Sequence, residues 1–129
     1  MSIIKFIAYF KKEYSALRYA ISGLFQFFLK ERKTALYAIA TITIIITGLL
    51  TQTSRTEWML LTGAITGVWV AEMFNTCIEE VLNFIHPAQH VKVKRIKDIA
   101  AGAVLFTALG SAITGLIIFL PKLISYVHR

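Results

Sequence analysis

Cysteine is nearly absent from this chain. Cys77 stands alone, so no internal disulfide can form, and within an apolar helix the thiol is expected to act as a small packing residue. Charge is also scarce: 16% of the 129 residues are Asp, Glu, Lys or Arg, 57% are hydrophobic, and the mean hydropathy is +0.66. That balance excludes an ordinary soluble domain and reads as a single membrane-embedded unit over residues 1–129. There is no G-x-x-x-x-G-K-[ST] loop and no protein-kinase signature. A short apolar core followed by a small-residue cleavage site is missing too, so the first spanning segment is expected to act as the insertion signal. His86 and His90 have i, i+4 spacing, but Pro87 between them and the lack of a third ligand argue against zinc.

The formal charge of +7 is unevenly placed. Lys5, Lys11, Lys12, Arg18, Lys30, Arg32 and Lys33 precede the first long apolar run, and Lys92, Lys94, Arg95 and Lys97 lie between the second and third. Only Arg55 sits between the first two runs, and only Lys122 and Arg129 follow the last. This asymmetry predicts a multi-pass membrane protein with its N-terminus and second loop cytoplasmic. The basic surplus is then a topology signal with some attraction for anionic headgroups and phosphates, and nucleic acid is not an expected partner.

The expected fold class is an all-α membrane protein: an N-terminal amphipathic surface helix within 1–33 and transmembrane spans at 35–51, 58–82 and 99–120. In the first segment Ile7, Phe10, Tyr14, Leu17, Ile21, Leu24 and Phe28 recur at steps of three and four, which predicts one apolar face lying in the membrane surface. Trp58 and Tyr126 fall where interfacial aromatics belong, and Pro121 is expected to close the third helix. Gly63 with Gly67, and Gly102, Gly110 and Gly115, predict close helix–helix contact. Three spans are few for a self-contained site, so oligomerisation is expected.

The chemistry concentrates in Glu72, Asn75 and Glu79, whose i, i+3, i+7 spacing puts them on one face of the second span, with Glu79 roughly 10 Å beyond Glu72. Ionisable groups at membrane depth are costly and normally line a site. The predicted topology brings Glu31, Glu79, Glu80, Lys97 and Asp98 to the cytoplasmic side with them. Carboxylates gathered there repel one another unless a cation intervenes, and oxygen-only ligands suit Mg²⁺ carried with nucleotide phosphates, toward which Lys97 supplies positive charge. The set suits γ-phosphoryl transfer from ATP, with Glu72 taking the proton of an alcohol that arrives through the bilayer. Taken singly, each residue has a plainer reading: Glu72 as a packing or oligomerisation device, Asn75 as an interhelical hydrogen bonder, Lys97 as a topology anchor and Asp98 as an N-cap.

Around these residues the chain resembles the small prokaryotic integral-membrane diacylglycerol kinase family, which includes undecaprenol kinases. The likeness runs over nearly the whole length and is sharpest in Glu72-x-x-Asn75-x-x-x-Glu79, in Lys97-Asp98-Ile99-Ala100-Ala101-Gly102, and in Gly23 with Glu31. The resemblance implies a homotrimer in the bacterial cytoplasmic (inner) membrane, with sites between subunits near the cytoplasmic surface. It implies Glu72 as the catalytic proton acceptor, Glu31 and Glu79 as ligands of the metal carried by ATP, and Asn75 as support for the catalytic helix. Lys97 and Asp98 would contact the nucleotide, as would Tyr19 and His90. Ala101 stands where some diacylglycerol kinases carry serine, and the ending Gly115-Leu116-Ile117-Ile118-Phe119-Leu120-Pro121-Lys122 looks like the undecaprenol-kinase branch.

The leading expectation is therefore an ATP- and Mg²⁺-dependent lipid kinase, with diacylglycerol placed ahead of undecaprenol as acceptor. The rival from another class is a non-catalytic oligomeric scaffold or pore; a small multidrug transporter fits the Lys97–Asp98 pair less well. Cysteines introduced at positions 31, 79 and 97 should all react from the same side of the membrane, and labelling from opposite sides would overturn this topology.

Overall fold

The computed structural model describes residues 3–30, 33–87 and 90–127, with side chains placed for 11–29, 33–87 and 90–125. Among these residues every regular element is a helix: α1 (Ile3–Lys30), α2 (Thr34–Leu50), α3 (Arg55–Ile85) and α4 (Val91–Val127). The all-α expectation holds. The chain divides into two units, Met1–Leu36 and Tyr37–Arg129.

The first unit is dominated by α1, a continuous 28-residue helix that passes through Gly23 without a break. Its predicted apolar stripe is exposed at Tyr14, Leu17, Ile21, Leu24 and Phe28. The buried side chain among the described residues of α1 is instead Phe27, edge-on to Phe28 with ring centroids 5.6 Å apart. Beyond the helix, the Thr34 hydroxyl donates to the Phe28 carbonyl at 3.4 Å.

In the second unit α2 turns back into α3 through a tight connection. The Thr53 N–H reaches the Gly48 carbonyl at 3.1 Å and the Thr51 N–H reaches Thr47 at 3.0 Å, while Gln52 takes a positive φ of 50°. This is a Schellman-type stop with glutamine at the left-handed position that glycine usually fills. Ser54 then caps α3: its hydroxyl accepts from the Glu57 N–H at 3.3 Å, and the Glu57 carboxylate accepts from the Ser54 N–H at 2.7 Å. This reciprocal capping box starts α3 at Arg55, earlier than the apolar run alone indicated. Gly48 lets the two helices approach, since a Cβ there would lie 2.7 Å from the Trp58 ring.

Helices α3 and α4 pack antiparallel. Lys97 meets Asn83 at one end at 2.6 Å, the Ser111 hydroxyl donates to the Ala64 carbonyl midway at 3.0 Å, and Lys122 meets Glu57 at the other end at 2.8 Å. Leu61, Ala100, Val104 and Ile118 supply the buried apolar side chains of this unit. Val91–Ser125 is long and apolar enough to cross a membrane by itself, and only 11% of its most apolar window is buried, unlike the core helix of a soluble domain.

Two expectations need correction. Pro121 does not end α4, which runs on to Val127; the lost N–H interrupts one hydrogen bond of the ladder but does not break the helix. Asp98 is no N-cap, because α4 begins at Val91 and the connection shrinks to residues 86–90; the Lys- and Arg-rich stretch before the apolar run is itself helical. A Cβ at Gly63, Gly67, Gly102, Gly110 or Gly115 would meet nothing within 4 Å, so the close contact expected of these glycines is not made within one copy of the chain. Gly63, Gly67 and Gly110 instead line an open lateral groove with Thr107 and Ser111, and the close approach falls at Gly48.

Two tests follow from this packing. Gln52→Gly should stabilise the protein by about 1 kcal/mol by relieving the left-handed backbone, read as a higher midpoint of thermal unfolding in detergent. Hydrogen bonding from Lys122, then from the Ser54 N–H and hydroxyl, lowers the Glu57 carboxyl from 4.5 to about 2. A folded value below the unfolded one means the contribution is complete above about 4.5 and is lost as pH falls toward 2. Glu57→Gln should therefore be less stable than wild type at neutral pH, and the gap should close as the solution is acidified through that window.

Candidate functional site

The polar stripe of α3 lies where its spacing placed it, in surroundings that make it costly. Glu72 is 2% exposed and Asn75 3%, with Thr76 buried beside them and Glu79 half-buried one turn further on. A group so enclosed needs hydrogen-bond partners, and α2 provides one: the Tyr37 hydroxyl donates to Glu72 Oε2 at 3.2 Å. The Tyr37 ring meets the Trp69 indole edge-on at 5.9 Å, and Trp69 Nε1 donates to Thr41 Oγ1 at 3.1 Å. Tyr37, Trp69 and Thr41 thus lock two turns of α2 onto α3 beside Glu72.

Asn75 Nδ2 donates to Glu79 Oε1 at 3.3 Å, which orients the amide and steadies the carboxylate. The Asn75 Oδ1 atom is buried and has no hydrogen-bond partner among the described residues. Leaving such an acceptor unpaired costs roughly 1–3 kcal/mol, so the site retains unused hydrogen-bonding capacity beside Glu79. Asn75 thus bonds Glu79 rather than Glu72.

One turn below Glu79 the stripe continues through Asn83 to His86, the C-cap residue of α3. There a cavity of about 550 Å³ opens between the ends of α3 and α4, lined by Asn83, His86, His90, Lys94 and Lys97 among others. Among the described residues no carboxylate lines it, and Lys94 and Lys97 give it positive charge. His90 caps α4, with Nδ1 accepting from the Lys92 N–H at 3.2 Å, and its ring lies 5.4 Å from that of His86. Lys97 is half-buried and Asp98 exposed, both within α4.

The structure thus unites Glu72, Asn75 and Glu79 along one face of α3, and places Lys97 and His90 at a cavity one turn beyond. Tyr19 is exposed on α1, in the other unit. Glu31, an expected metal ligand, lies outside the described residues. Among the described residues no three His, Cys, Asp or Glu side chains gather to hold a metal ion. Glu79 nevertheless offers a hard oxygen donor, since only Oε1 is engaged by Asn75 among the described residues. Tyr37, Trp69 and Asn83 were missed by the sequence reading; of these, only Asn83 left a signal, at i+4 from Glu79 on the same stripe.

Residues 18–119 match the family described as prokaryotic diacylglycerol kinase. The chain belongs to that family. An undecaprenol kinase of Bacillus subtilis is 40% identical over 101 residues, covering 78% of this chain and 82% of that protein. A diacylglycerol kinase of Synechocystis sp. is 29% identical over 111 residues, covering 85% of this chain and 63% of that protein. Within this lipid kinase family, the matched region contains every expected site residue, from Tyr19 to Asp98.

Tyr37→Phe should weaken the α2–α3 contact by about 1 kcal/mol, the usual worth of one hydrogen bond. Thermal unfolding in detergent is the measurement, and an unchanged midpoint would mean that the Tyr37–Glu72 bond contributes nothing.

Proposed function

We propose that this chain is an ATP-dependent kinase that phosphorylates the hydroxyl of a membrane lipid alcohol. The observation that carries the reading is a carboxyl group buried beside a paired amide and carboxylate, in a chain of the prokaryotic diacylglycerol kinase family. In this reading the lipid oxygen attacks the γ-phosphorus, the bond to the ADP oxygen breaks, and Glu72 receives the hydroxyl proton. Asn75 holds Glu79 in place, while Lys97 and Asp98, with His90 and Tyr19, bind the nucleotide. Glu79 and Glu31 would hold the Mg²⁺ that accompanies ATP, an ion that when bound offsets the phosphate charge.

The same reading has α2, α3 and α4 as three transmembrane spans, α1 in the membrane surface, and the N-terminus in the cytoplasm. Exposed apolar side chains support it: Leu36, Ile39, Ile42 and Leu49 on α2, and Leu105, Phe106, Ile113 and Leu116 on α4. A homotrimer is part of the proposal, supported by the uncovered small-residue groove at Gly63, Gly67 and Gly110, which leaves room for a helix from another copy.

Diacylglycerol and undecaprenol both present a primary alcohol at the interface. Diacylglycerol is the acceptor in the family's description, whereas the 40% identity over most of an undecaprenol kinase favours a polyprenol as a second reading. Parallel turnover with both lipids at matched surface concentration decides between them. Glu72→Gln should lower kcat by about 100-fold or more, the usual loss when a general base is removed. Retention of full turnover by Glu72→Gln would remove Glu72 from the chemistry, and no phosphate transfer to any lipid alcohol would favour a scaffold.

A further inference from the structure

Lys97 and Lys94 line the same cavity, yet only Lys97 is tethered. Its Nζ lies 2.6 Å from Asn83 Oδ1, across the α3–α4 interface. Lys94 has no ammonium partner among the described residues. Asn83 stands four residues after Glu79 on the polar stripe, roughly 6 Å further along the helix axis. The tether therefore fixes a cation one turn below the carboxylate assigned to the metal.

The choice of an amide matters. A lysine ammonium has three donors on a flexible stem, and bonding one of them to a fixed acceptor limits where the charge can wander. A neutral amide does this without cancelling the charge, and two N–H donors remain directed elsewhere in a cavity that no described carboxylate lines. The ligand class that complements such a cavity is a polyphosphate.

We propose that Asn83 is a positioning residue that aims the Lys97 ammonium at the polyphosphate of the bound nucleotide. The proposal rests on the kinase reading for the identity of the ligand. Asn83 touches neither lipid nor reacting atoms; it acts through Lys97.

The experiment varies MgATP at saturating lipid with full-length protein in mixed micelles. Asn83→Ala should raise KM for MgATP about five- to tenfold, as expected for losing a hydrogen bond to a charged group, with kcat and KM for lipid near wild type. Asn83→Gln keeps a neutral amide oxygen within reach of the flexible lysine and should restore KM to within about twofold, whereas Asn83→Asp, which sets a carboxylate against the ammonium, should not. Lys97→Ala should show the same raised KM whether or not Asn83 is also replaced. Equilibrium binding of a non-hydrolysable MgATP analogue should weaken by the same factor in Asn83→Ala. An unchanged KM and unchanged analogue affinity in Asn83→Ala, or a full additional loss on top of Lys97→Ala, would overturn the assignment. Should wild type phosphorylate no lipid alcohol, the kinase reading falls, and analogue binding by wild type and Asn83→Ala still decides the role of Asn83.

Discussion

A carboxyl group enclosed between apolar helices must be given hydrogen-bond partners or the pair will not hold, and Glu72 imposes that demand at the centre of α3. The hydroxyl of Tyr37 answers it, and the ring carrying that hydroxyl leans on Trp69, whose indole N–H reaches Thr41. From this one polar contact the placement of α2 against α3 follows over two turns. Nearer the connection the same pair is closed by Trp58 over Gly48, where any larger residue would collide with the ring. A buried polar group thus orders its neighbours instead of merely being tolerated by them.

The packing of α3 on its other neighbour is set by a different device. Its contact with α4 is bracketed by polar bonds at both ends, Asn83 to Lys97 and Glu57 to Lys122, with Ser111 to Ala64 between them. Apolar side chains alone specify a helix pair weakly, because sliding by one turn exchanges one aliphatic contact for another. Directional bonds at separated points forbid that slide. The register they impose keeps Lys97 one turn from Glu79 and gathers the cationic side chains at one end of the pair.

Much of this was legible beforehand, for identifiable reasons. The i, i+3, i+7 spacing of Glu72, Asn75 and Glu79 on an apolar background left no other face for them, and the three-and-four rhythm from Ile7 to Phe28 corresponds to α1. Helix ends were less visible. Hydrophobic runs mark where a chain can meet lipid, so the charged turns from Val91 to Asp98 and the capping box at Ser54 fell outside them although both are helical or helix-starting. Tyr37 and Trp69 read as ordinary apolar residues until the fold brought their polar atoms to Glu72 and Thr41. Small-residue spacing said less: a Gly63–Gly67 pair signals a thin helix surface, but not which surface comes to rest on it, and within the chain nothing does.

The near-complete enclosure of Glu72 also bears on how a phosphorylated lipid would depart. A neutral alcohol sits comfortably beside a desolvated carboxyl group, whereas the phosphomonoester formed from it carries formal negative charge and prefers water. Turnover would convert a guest at home in oil into one that its binding place solvates far less well than water does. On this view expulsion toward the headgroups needs no gate, because the solvation of the new headgroup supplies the push.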